Sequence, residues 1–213
     1  MKTYRDYYFR KAKAEHYPAR SVYKLQEMDK ALRILRPGQR VLDLGATPGS
    51  WTLYAAERVG PKGQVIAVDL NPTDTVFPPQ VCFLVTDMLA PAPEVEGVLA
   101  QAAPFAVVLS DMAPKTTGSR ITDQSRSLAL VEAAYTVAMR WLDRGGHFVA
   151  KIFEGPDAPA FVRSIKPFFE RVSLFKPKSS RSESKEIFIV GLGLRERDPR
   201  YLSPHHEETH GRT

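Results

Sequence analysis

Two charged residues lie among apolar ones. Burial of a charge costs free energy, so such a residue usually has a charged partner or a functional role. Asp111 follows the apolar run 105–110, and Lys151 closes a second apolar run after Val149 and Ala150. Burial of a lysine and a second cation beside it both favour the neutral amine, which can accept a proton. The two residues indicate either a general base with its orienting carboxylate or a partly buried ion pair that holds two loops together.

A glycine-rich turn follows the apolar segment 41–44 and leads into a helix that is predicted to begin near Gly49. Glycine lets a ligand approach the backbone closely. The turn is not a dinucleotide fingerprint, because that pattern would need glycine at Thr47, and no helix N-terminus is placed here for a pyrophosphate. A hydride-transfer enzyme is therefore disfavoured.

Two acidic residues follow the next two predicted strands. Asp69 ends the run 64–68, where a carboxylate can accept hydrogen bonds from both hydroxyls of an adenosine ribose. Asp87 follows the run 81–85 and can face the adenine edge, beside Met88. Each acid by itself could be the N-cap of the next helix. In this order after a glycine-rich turn, the two acids predict a binding site for S-adenosylmethionine.

Four motifs of this sequence resemble those of the FtsJ/RrmJ (RlmE-type) 2′-O-methyltransferases of ribosomal RNA. They are DLGATPGSW at 43–51, SDMAP at 110–114, KIFEG at 151–155 and KPKSSRSESKE at 176–186. The similarity extends from about Tyr17 to Gly193. It implies a Rossmann-like methyltransferase fold, S-adenosylmethionine as the methyl donor and large-subunit (23S) ribosomal RNA as the substrate.

The resemblance also places a Lys-Asp-Lys-Glu catalytic group on Lys24, Asp111, Lys151 and Glu186. We expect Lys151 to accept the proton of a ribose 2′-hydroxyl, and Lys24 to supply the like charge that favours the neutral amine. Asp111 would orient Lys151 and the ribose, and Glu186 would hold Lys24 or the ribose. Glu183 is a rival for the second carboxylate, but Glu186 directly precedes an apolar strand, as the family motif requires.

For the cofactor, the resemblance implies contacts from Gly49, Trp51, Asp69, Asp87 and Asp111. Two positions depart from the family pattern, with Thr47 where alanine is usual and Ser50 where glycine is usual. Both substitutes are small. We therefore expect them to alter the geometry of the turn rather than the identity of the cofactor.

These residues are far apart in the chain and can lie close together only if a β-sheet positions them. The sequence has the pattern of such a sheet. Short β-branched runs alternate with longer amphipathic segments, which predicts a doubly wound α/β fold with seven strands, mostly parallel. The predicted strands are 40–44, 64–68, 81–85, 105–110, 146–151, 171–175 and 186–191. The clearest helix begins near Thr122 or Asp123 and ends before Gly145. Too few residues join the last two strands for a crossover helix, so they should be antiparallel.

Positive charge is concentrated near the N-terminus. Residues 1–40 hold 11 Lys and Arg against four acidic residues, and the whole chain has a net charge of +6. Tyr7, Tyr8 and Tyr23 lie among these cations, which suits a polyanion with stackable bases, although a solvated amphipathic helix would have the same pattern. We predict that this segment binds RNA, together with cations of the last motif: Lys176, Lys178, Arg181 and Lys185.

Three segments are expected: a basic helical arm at 1–37 packed on the main domain, a methyltransferase domain at 38–194, and a disordered tail at 195–213. No metal site is predicted in the tail, because its three neighbouring histidines lack a second ligand cluster. Cys82, the only cysteine, should lie in the core. Without an export signal or a membrane-length apolar stretch, we expect a cytoplasmic monomer with no obligate protein partner.

The sequence thus predicts S-adenosylmethionine-dependent 2′-O-methylation of a ribose in RNA, with a uridine of 23S ribosomal RNA as the expected target. Two alternatives stay open. One is the same reaction on transfer RNA or another RNA. The other is a non-catalytic ribosome assembly factor, against which the complete catalytic group argues.

Overall fold

A computed structural model of the protein describes residues 2–88, 90–181 and 184–201, with side chains from Tyr7 onward. The strands are β1 Arg40–Leu44, β2 Gln64–Asp69, β3 Val81–Val85, β4 Phe105–Ser110, β5 Leu142–Phe153, β6 Phe169–Phe175 and β7 Glu186–Leu194. They form one seven-stranded sheet in the order β3-β2-β1-β4-β5-β7-β6. Strand β7 runs antiparallel to both of its neighbours, while the pairs from β3 to β5 are parallel.

The helices connect the strands. They are α1 Lys2–Ala14, α2 Val22–Leu32, α3 Ser50–Val59, α4 Pro93–Ala102, α5 Arg120–Trp141 and α6 Asp157–Ile165, with short 3-10 helices at Lys166–Phe168 and Pro199–Tyr201. The side chain of Ser119 accepts a hydrogen bond from the backbone N–H of Thr122 and so caps α5. The helix ends at Trp141, and its C-cap, Leu142, is extended and begins β5.

The sheet has one hydrophobic core on each face. On one face, α4, α5 and α6 cover a core centred on Tyr135, which is fully buried and contacts the rings of Phe148 and Phe161 edge to face. On the other face, α2 and α3 contribute Leu25 and Trp51 to a second core. A sheet covered on both faces explains why its central strands are continuous apolar runs.

The predicted fold class is confirmed, and each predicted strand corresponds to an observed one. Strand β5 starts earlier than predicted, at Leu142 rather than Gly146, because Leu142 pairs with Phe105 before a shift in register. Helix α5 starts at Arg120, two positions before the predicted Thr122. Helix α4 was not predicted; it is only ten residues long, and Gly97 in its middle lowers its helix propensity.

The N-terminal segment packs against the main domain through α2 and the turn before it. Leu25 and Met28 of α2 are fully buried in the same core as Trp51. The hydroxyl of Tyr17 donates to Glu57 on α3 at 2.8 Å. These contacts fix the position of Lys24, which lies in the first turn of α2.

The predicted start of the disordered tail at Arg195 is wrong for its first seven residues. Residues 195–201 fold back onto α5 and end in a 3-10 helix. Asp198 is fully buried, and its carboxylate accepts hydrogen bonds from Arg200 and from Tyr135. A buried carboxylate with charged and hydroxyl partners is satisfied, so this segment can be ordered despite its high charge. The remaining residues of the predicted tail, including His205, His206 and His210, lie outside the described residues.

Cys82 is partly buried on edge strand β3 and packs against the core on the α5 face. Its environment is that of a small apolar residue. Within the described ranges, no helix combines the length and apolar character needed to cross a membrane.

Candidate active site

The register of β4 and β5 brings the two apolar-flanked charges together. Ser110 pairs with Ala150, so that the next residues, Asp111 and Lys151, lie side by side at the carboxyl ends of the two strands. Lys151 Nζ is 3.0 Å from Asp111 Oδ1, and the lysine side chain is 7% exposed. The approach is too oblique for a hydrogen bond, and Asp111 Oδ1 has no hydrogen-bond partner within the described residues. This oxygen can still accept a hydrogen bond from a ligand.

Lys24 and Glu186 complete a group of four. Lys24 Nζ donates to Glu186 Oε2 at 2.5 Å, although 162 positions separate the two residues in the chain. The other carboxylate oxygen of Glu186 lies 3.9 Å from Lys151 Nζ. The structure therefore brings together all four residues that the resemblance singled out.

The charge of Glu186 is set by two opposing effects. Burial by itself favours the neutral carboxyl, but the charges of Lys24 and Lys151 and the hydrogen bond from Lys24 outweigh it. The pKa of Glu186 is therefore below its usual range, and the side chain is a carboxylate at neutral pH. The group of four thus holds two lysines around one shared carboxylate, with Asp111 on the far side of Lys151.

A cleft of about 330 Å³ opens beside Asp111 at the carboxyl ends of β1, β2, β3 and β4. We call it the first cleft. Its lining comprises Gly45, Thr47, Val68, Asp69, Leu70, Asn71, Thr86, Asp87, Met88, Asp111, Met112, Ala113 and Leu130. Three of the five predicted cofactor contacts, Asp69, Asp87 and Asp111, line it, whereas Gly49 and Trp51 do not.

The first cleft has hydrogen-bond acceptors and apolar side chains that suit an adenosine sulfonium. Both carboxylate oxygens of Asp69 are held in place, one by the backbone N–H of Thr47 at 2.9 Å and the other by that of Asn71 at 2.8 Å. Oδ1 also accepts from the side-chain amide of Asn71 at 3.2 Å, so it is Oδ2 that keeps a lone pair for a ribose hydroxyl. At Gly45 (φ 73°), a Cβ would lie 2.7 Å from Met112 Cγ, so only glycine fits this wall. Carboxylates suit the positively charged sulfonium, and apolar side chains suit the adenine ring. Both features therefore fit S-adenosylmethionine.

Trp51 has a structural position. Its ring is 2% exposed, its Nε1–H donates to the carbonyl of Ser21 at 2.9 Å, and it packs on Phe188 with ring centroids 5.6 Å apart. The indole thus joins the glycine-rich turn to the segment before α2. An influence on the cofactor would be indirect, through the position of the turn.

We expect Trp51→Phe to lower the free energy of unfolding by about 1–3 kcal/mol, because the part-buried carbonyl of Ser21 keeps only the backbone N–H of Lys24 as a donor and the smaller ring leaves a void. Urea denaturation followed by circular dichroism would measure the change. Phe175→Leu, at a half-buried position of the same core, is the matched control for the loss of ring volume alone. Equal losses in the two variants would show that the indole hydrogen bond contributes nothing.

The two residues that depart from the family pattern both make specific contacts. Ser50 Oγ accepts the backbone N–H of Ala19 at 2.7 Å, which joins α3 to the N-terminal segment. Thr47 Oγ1 donates to the carbonyl of Asn71 at 2.9 Å. These side chains tie the glycine-rich turn to its neighbours. That they leave the identity of the cofactor unchanged stays a prediction.

A further acidic residue, Asp43, lies beneath the turn and was not predicted as a site residue. It is fully buried on β1; its Oδ2 accepts from the hydroxyl of Thr52 at 2.6 Å, and its Oδ1 has no hydrogen-bond partner within the described residues. Burial raises the pKa of Asp43 to about 7, and the nearby charges of Asp111 and Asp69 act in the same direction, against the lowering effect of Thr52. The signal was present in the sequence, as an acid inside the apolar run 41–44.

Three other wall residues of the first cleft were not predicted. Asn71 could have been found, as a polar residue just after the second strand. Leu130 could not, because it comes from α5 and only tertiary packing brings it to the cleft. Met112 lay within a recognised motif, but its contact with Gly45 depends on how two strands end.

Comparison with known proteins identifies the family of this chain. A model of FtsJ-like methyltransferases matches residues 17–194. The protein named ribosomal RNA large subunit methyltransferase E in Oleidesulfovibrio alaskensis is 57% identical over 195 residues, which cover 92% of this chain and 94% of that protein. The protein of the same name in Nitratidesulfovibrio vulgaris is 58% identical, with 92% and 97% coverage.

Among solved structures, a protein of Plasmodium falciparum described as a ribosomal RNA methyltransferase superposes with a TM-score of 0.73. It is 26% identical in sequence, and the match covers 85% of this chain and all of that one. The similarity therefore extends over most of the chain.

Proposed function

Since the chain belongs to the FtsJ-like methyltransferase family, we propose that it transfers the methyl group of S-adenosylmethionine to a ribose 2′-hydroxyl of large-subunit ribosomal RNA. The expected target is a uridine of 23S ribosomal RNA. The relatives' shared name favours this substrate over transfer RNA. Such a substrate implies a cytoplasmic site of action.

One observation carries the proposal: a buried lysine lies between two carboxylates at the edge of the cofactor cleft. Lys151 Nζ is 3.0 Å from Asp111, which lines the first cleft, and 3.9 Å from Glu186, which does not. A non-catalytic factor that merely binds RNA would gain nothing from a lysine in this position, because burial of an ion pair is costly.

The residues that would hold the cofactor are those of the first cleft. Asp69 would accept the ribose hydroxyls, Asp87 and Met88 would contact the adenine, and the turn at Gly45 would allow a close approach. When bound, S-adenosylmethionine supplies a methyl carbon on a positively charged sulfur. Asp111 adds a negative charge near that cation.

The chain's own residues must position the ribose and remove its proton. Lys151 Nζ would accept the 2′-hydroxyl proton as the ribose oxygen takes up the methyl group that S-adenosylmethionine would supply, with the electron pair of the broken carbon–sulfur bond left on the cofactor. Asp111 orients the amine from one side. Glu186, held by Lys24, orients it from the other.

RNA would lie across the carboxyl ends of the strands, between the N-terminal segment and the loop 176–185. Glu27 on α2 accepts the backbone N–H groups of Lys178 and Ser179 at 2.6 and 2.8 Å, so the loop and the N-terminal segment share one surface. The side chains of Lys178 and Lys185 are exposed on it. Exposed cations at this place suit phosphate contacts.

The proposal is tested by methyl transfer from radiolabelled S-adenosylmethionine to large ribosomal subunits, free ribosomal RNA and transfer RNA in parallel, with nucleoside mapping of the product. We expect label in a 2′-O-methylated uridine of the large-subunit RNA. Catalysed transfer should exceed the rate without enzyme by many orders of magnitude, at least about 10⁶-fold.

Label confined to transfer RNA would show that transfer RNA is the substrate, while the proposed reaction would still hold. If no RNA accepts label although the cofactor binds, the protein is a non-catalytic factor and the proposed reaction is wrong. Heat-inactivated protein and RNA already methylated by the enzyme are the controls.

A further inference from the structure

A second cleft, of about 250 Å³, is lined by Glu186, whose carboxylate lies 3.9 Å from Lys151 Nζ. Its walls come from the N-terminal end of α5 and from the ends of β5 and β7, and include Arg120, Gln124, Phe153, Ser184, Lys185 and Glu186. None of these residues lines the first cleft. Its size is close to the lower end for small-molecule pockets, about 300 Å³, which suits one nucleoside better than a helix.

Lys151 lines neither cleft, but one carboxylate from each lies close to it. Asp111 lines the first cleft, Glu186 lines the second, and Lys151 Nζ is within 3.9 Å of both carboxylates. The segment between β4 and α5 also borders both, through Met112 on one side and Thr116 on the other. A methyl donor in the first cleft and an acceptor in the second would therefore both reach the lysine.

Phe153 gives the second cleft an aromatic wall. It ends β5 two residues after Lys151, pairs with Glu186 across the sheet and is half-buried, so part of its ring is accessible. Its backbone N–H donates to Ser127 Oγ at 2.9 Å, which fixes this end of the strand on α5. Proteins that bind unstacked RNA bases place them against aromatic rings of this kind.

Gln124 gives the cleft a polar group in a fixed position. Its Nε2 donates to the carbonyl of Glu154 at 2.6 Å, and its amide packs so closely on Gly155 that a Cβ there would collide with it. With Nε2 engaged, Oε1 is the acceptor that this amide offers. A pyrimidine such as uracil has an N–H donor between two carbonyl groups, which matches an acceptor at this place.

Two cations stand at the rim. Arg120 and Lys185 are both exposed and lie on opposite walls, α5 and the strand end before β7. Cations on either side of a nucleoside-sized cleft suit the phosphates that precede and follow one nucleotide.

From these features we propose that the second cleft binds the acceptor nucleoside, extruded from the RNA, with its base against Phe153 and Gln124 and its ribose toward Lys151. This inference rests on the proposed function, because it assigns the substrate of the same reaction. A nucleotide must leave its stack to place its sugar beside a buried amine. The cleft thus selects a single, unpaired nucleotide within the RNA.

The test compares steady-state methyl transfer to large-subunit ribosomal RNA with equilibrium binding of S-adenosylmethionine for each variant. Phe153→Leu should raise KM for RNA by about 10-fold, which corresponds to about 1.4 kcal/mol and lies within the range of base–aromatic stacking. Phe153→Tyr keeps the ring and should lose much less. Cofactor affinity should stay as in the wild type for both.

The polar group of Gln124 and the charge of Arg120 are tested with further variants. Gln124→Ala should raise KM for RNA, and Arg120→Ala should do so more than Arg126→Ala, which removes an exposed arginine of the same helix that lines neither cleft. RNA carrying 4-thiouridine at the mapped nucleotide should crosslink within the second cleft, independently of turnover.

The outcomes separate the two proposals. A wild-type protein that methylates no RNA refutes the proposed function itself. A wild-type protein that methylates RNA, while Phe153→Leu and Gln124→Ala keep its KM and kcat and the crosslink maps elsewhere, refutes the assignment of the cleft alone.

Discussion

Lys151→Arg is expected to lower kcat for methyl transfer by about 100- to 10,000-fold, which is the usual contribution of a general base. Arginine keeps the positive charge and can pair with Asp111 and Glu186, but it is never neutral at physiological pH and so cannot accept a proton. Lysine at this position makes ion pairs of 3.0 and 3.9 Å with those carboxylates, so the variant tests proton acceptance rather than charge.

Rapid-mix single-turnover measurements on the RNA substrate would give the rate constant of the chemical step, and equilibrium dialysis would give cofactor affinity. Cofactor affinity should change little, because Lys151 does not line the first cleft. Lys166→Arg, at an exposed position remote from the site, controls for the exchange itself. Wild-type turnover in Lys151→Arg would exclude the base and leave a purely electrostatic role for the lysine.

Asp43 is expected to make the protein less stable as pH rises from about 4 to 7. Its pKa is raised from 3.8 to about 7, chiefly by burial, so between these values the folded state keeps a proton that the unfolded state has lost. The stability associated with that proton is fully present below pH 3.8 and is lost as pH rises through about 7. The interval corresponds to as much as about 4 kcal/mol at 1.36 kcal/mol per pH unit.

Asp43→Asn should remove this component, because an amide mimics the protonated acid and keeps an acceptor for Thr52. The informative quantity is the free energy of unfolding of the variant minus that of the wild type, measured in urea at several pH values. This difference should increase from pH 4 to 7 and then level off. Other carboxylates with lowered pKa values, such as Glu186, affect both proteins equally and cancel.

Asp143→Asn, at an exposed position, is the matched control and should show a flat difference. A flat difference for Asp43→Asn as well would mean that the buried carboxyl is ionised throughout. Because Thr52 lies in α3, the same variant also reports on how firmly the cofactor turn is held.

Local patterns were enough to predict the sheet, because alternating apolar runs and turns act over a few residues. All seven predicted strands exist, and the antiparallel pairing of the last two follows from the short connection between them. Strand and helix ends were less accurate. Leu142 joined a strand rather than a helix because its partner, Phe105, is 37 positions away in the chain and invisible to a local pattern.

Motifs were enough to name the residues of the candidate site but not what each one contacts. Asp69, Asp87 and Asp111 line the first cleft, whereas Trp51, from the same motif as the turn, lies in the core and holds Ser21. Residues 195–201 were expected to be disordered because of their charge, yet Asp198 finds Arg200 and Tyr135. In both cases a partner far away in the chain, Ser21 for Trp51 and Tyr135 for Asp198, decided where the residue lies.

By itself the sequence determined the strands and the positions of the motifs, because each depends on neighbouring residues. The family resemblance that those motifs carry then identified the four charged residues. The tertiary structure alone decided that Lys24 bonds to Glu186, that Lys151 lies near one carboxylate from each cleft, and that Phe153 and Gln124 both line the second cleft. The physical reason is distance along the chain: contacts between residues tens to 162 positions apart form only when the sheet brings strand ends together.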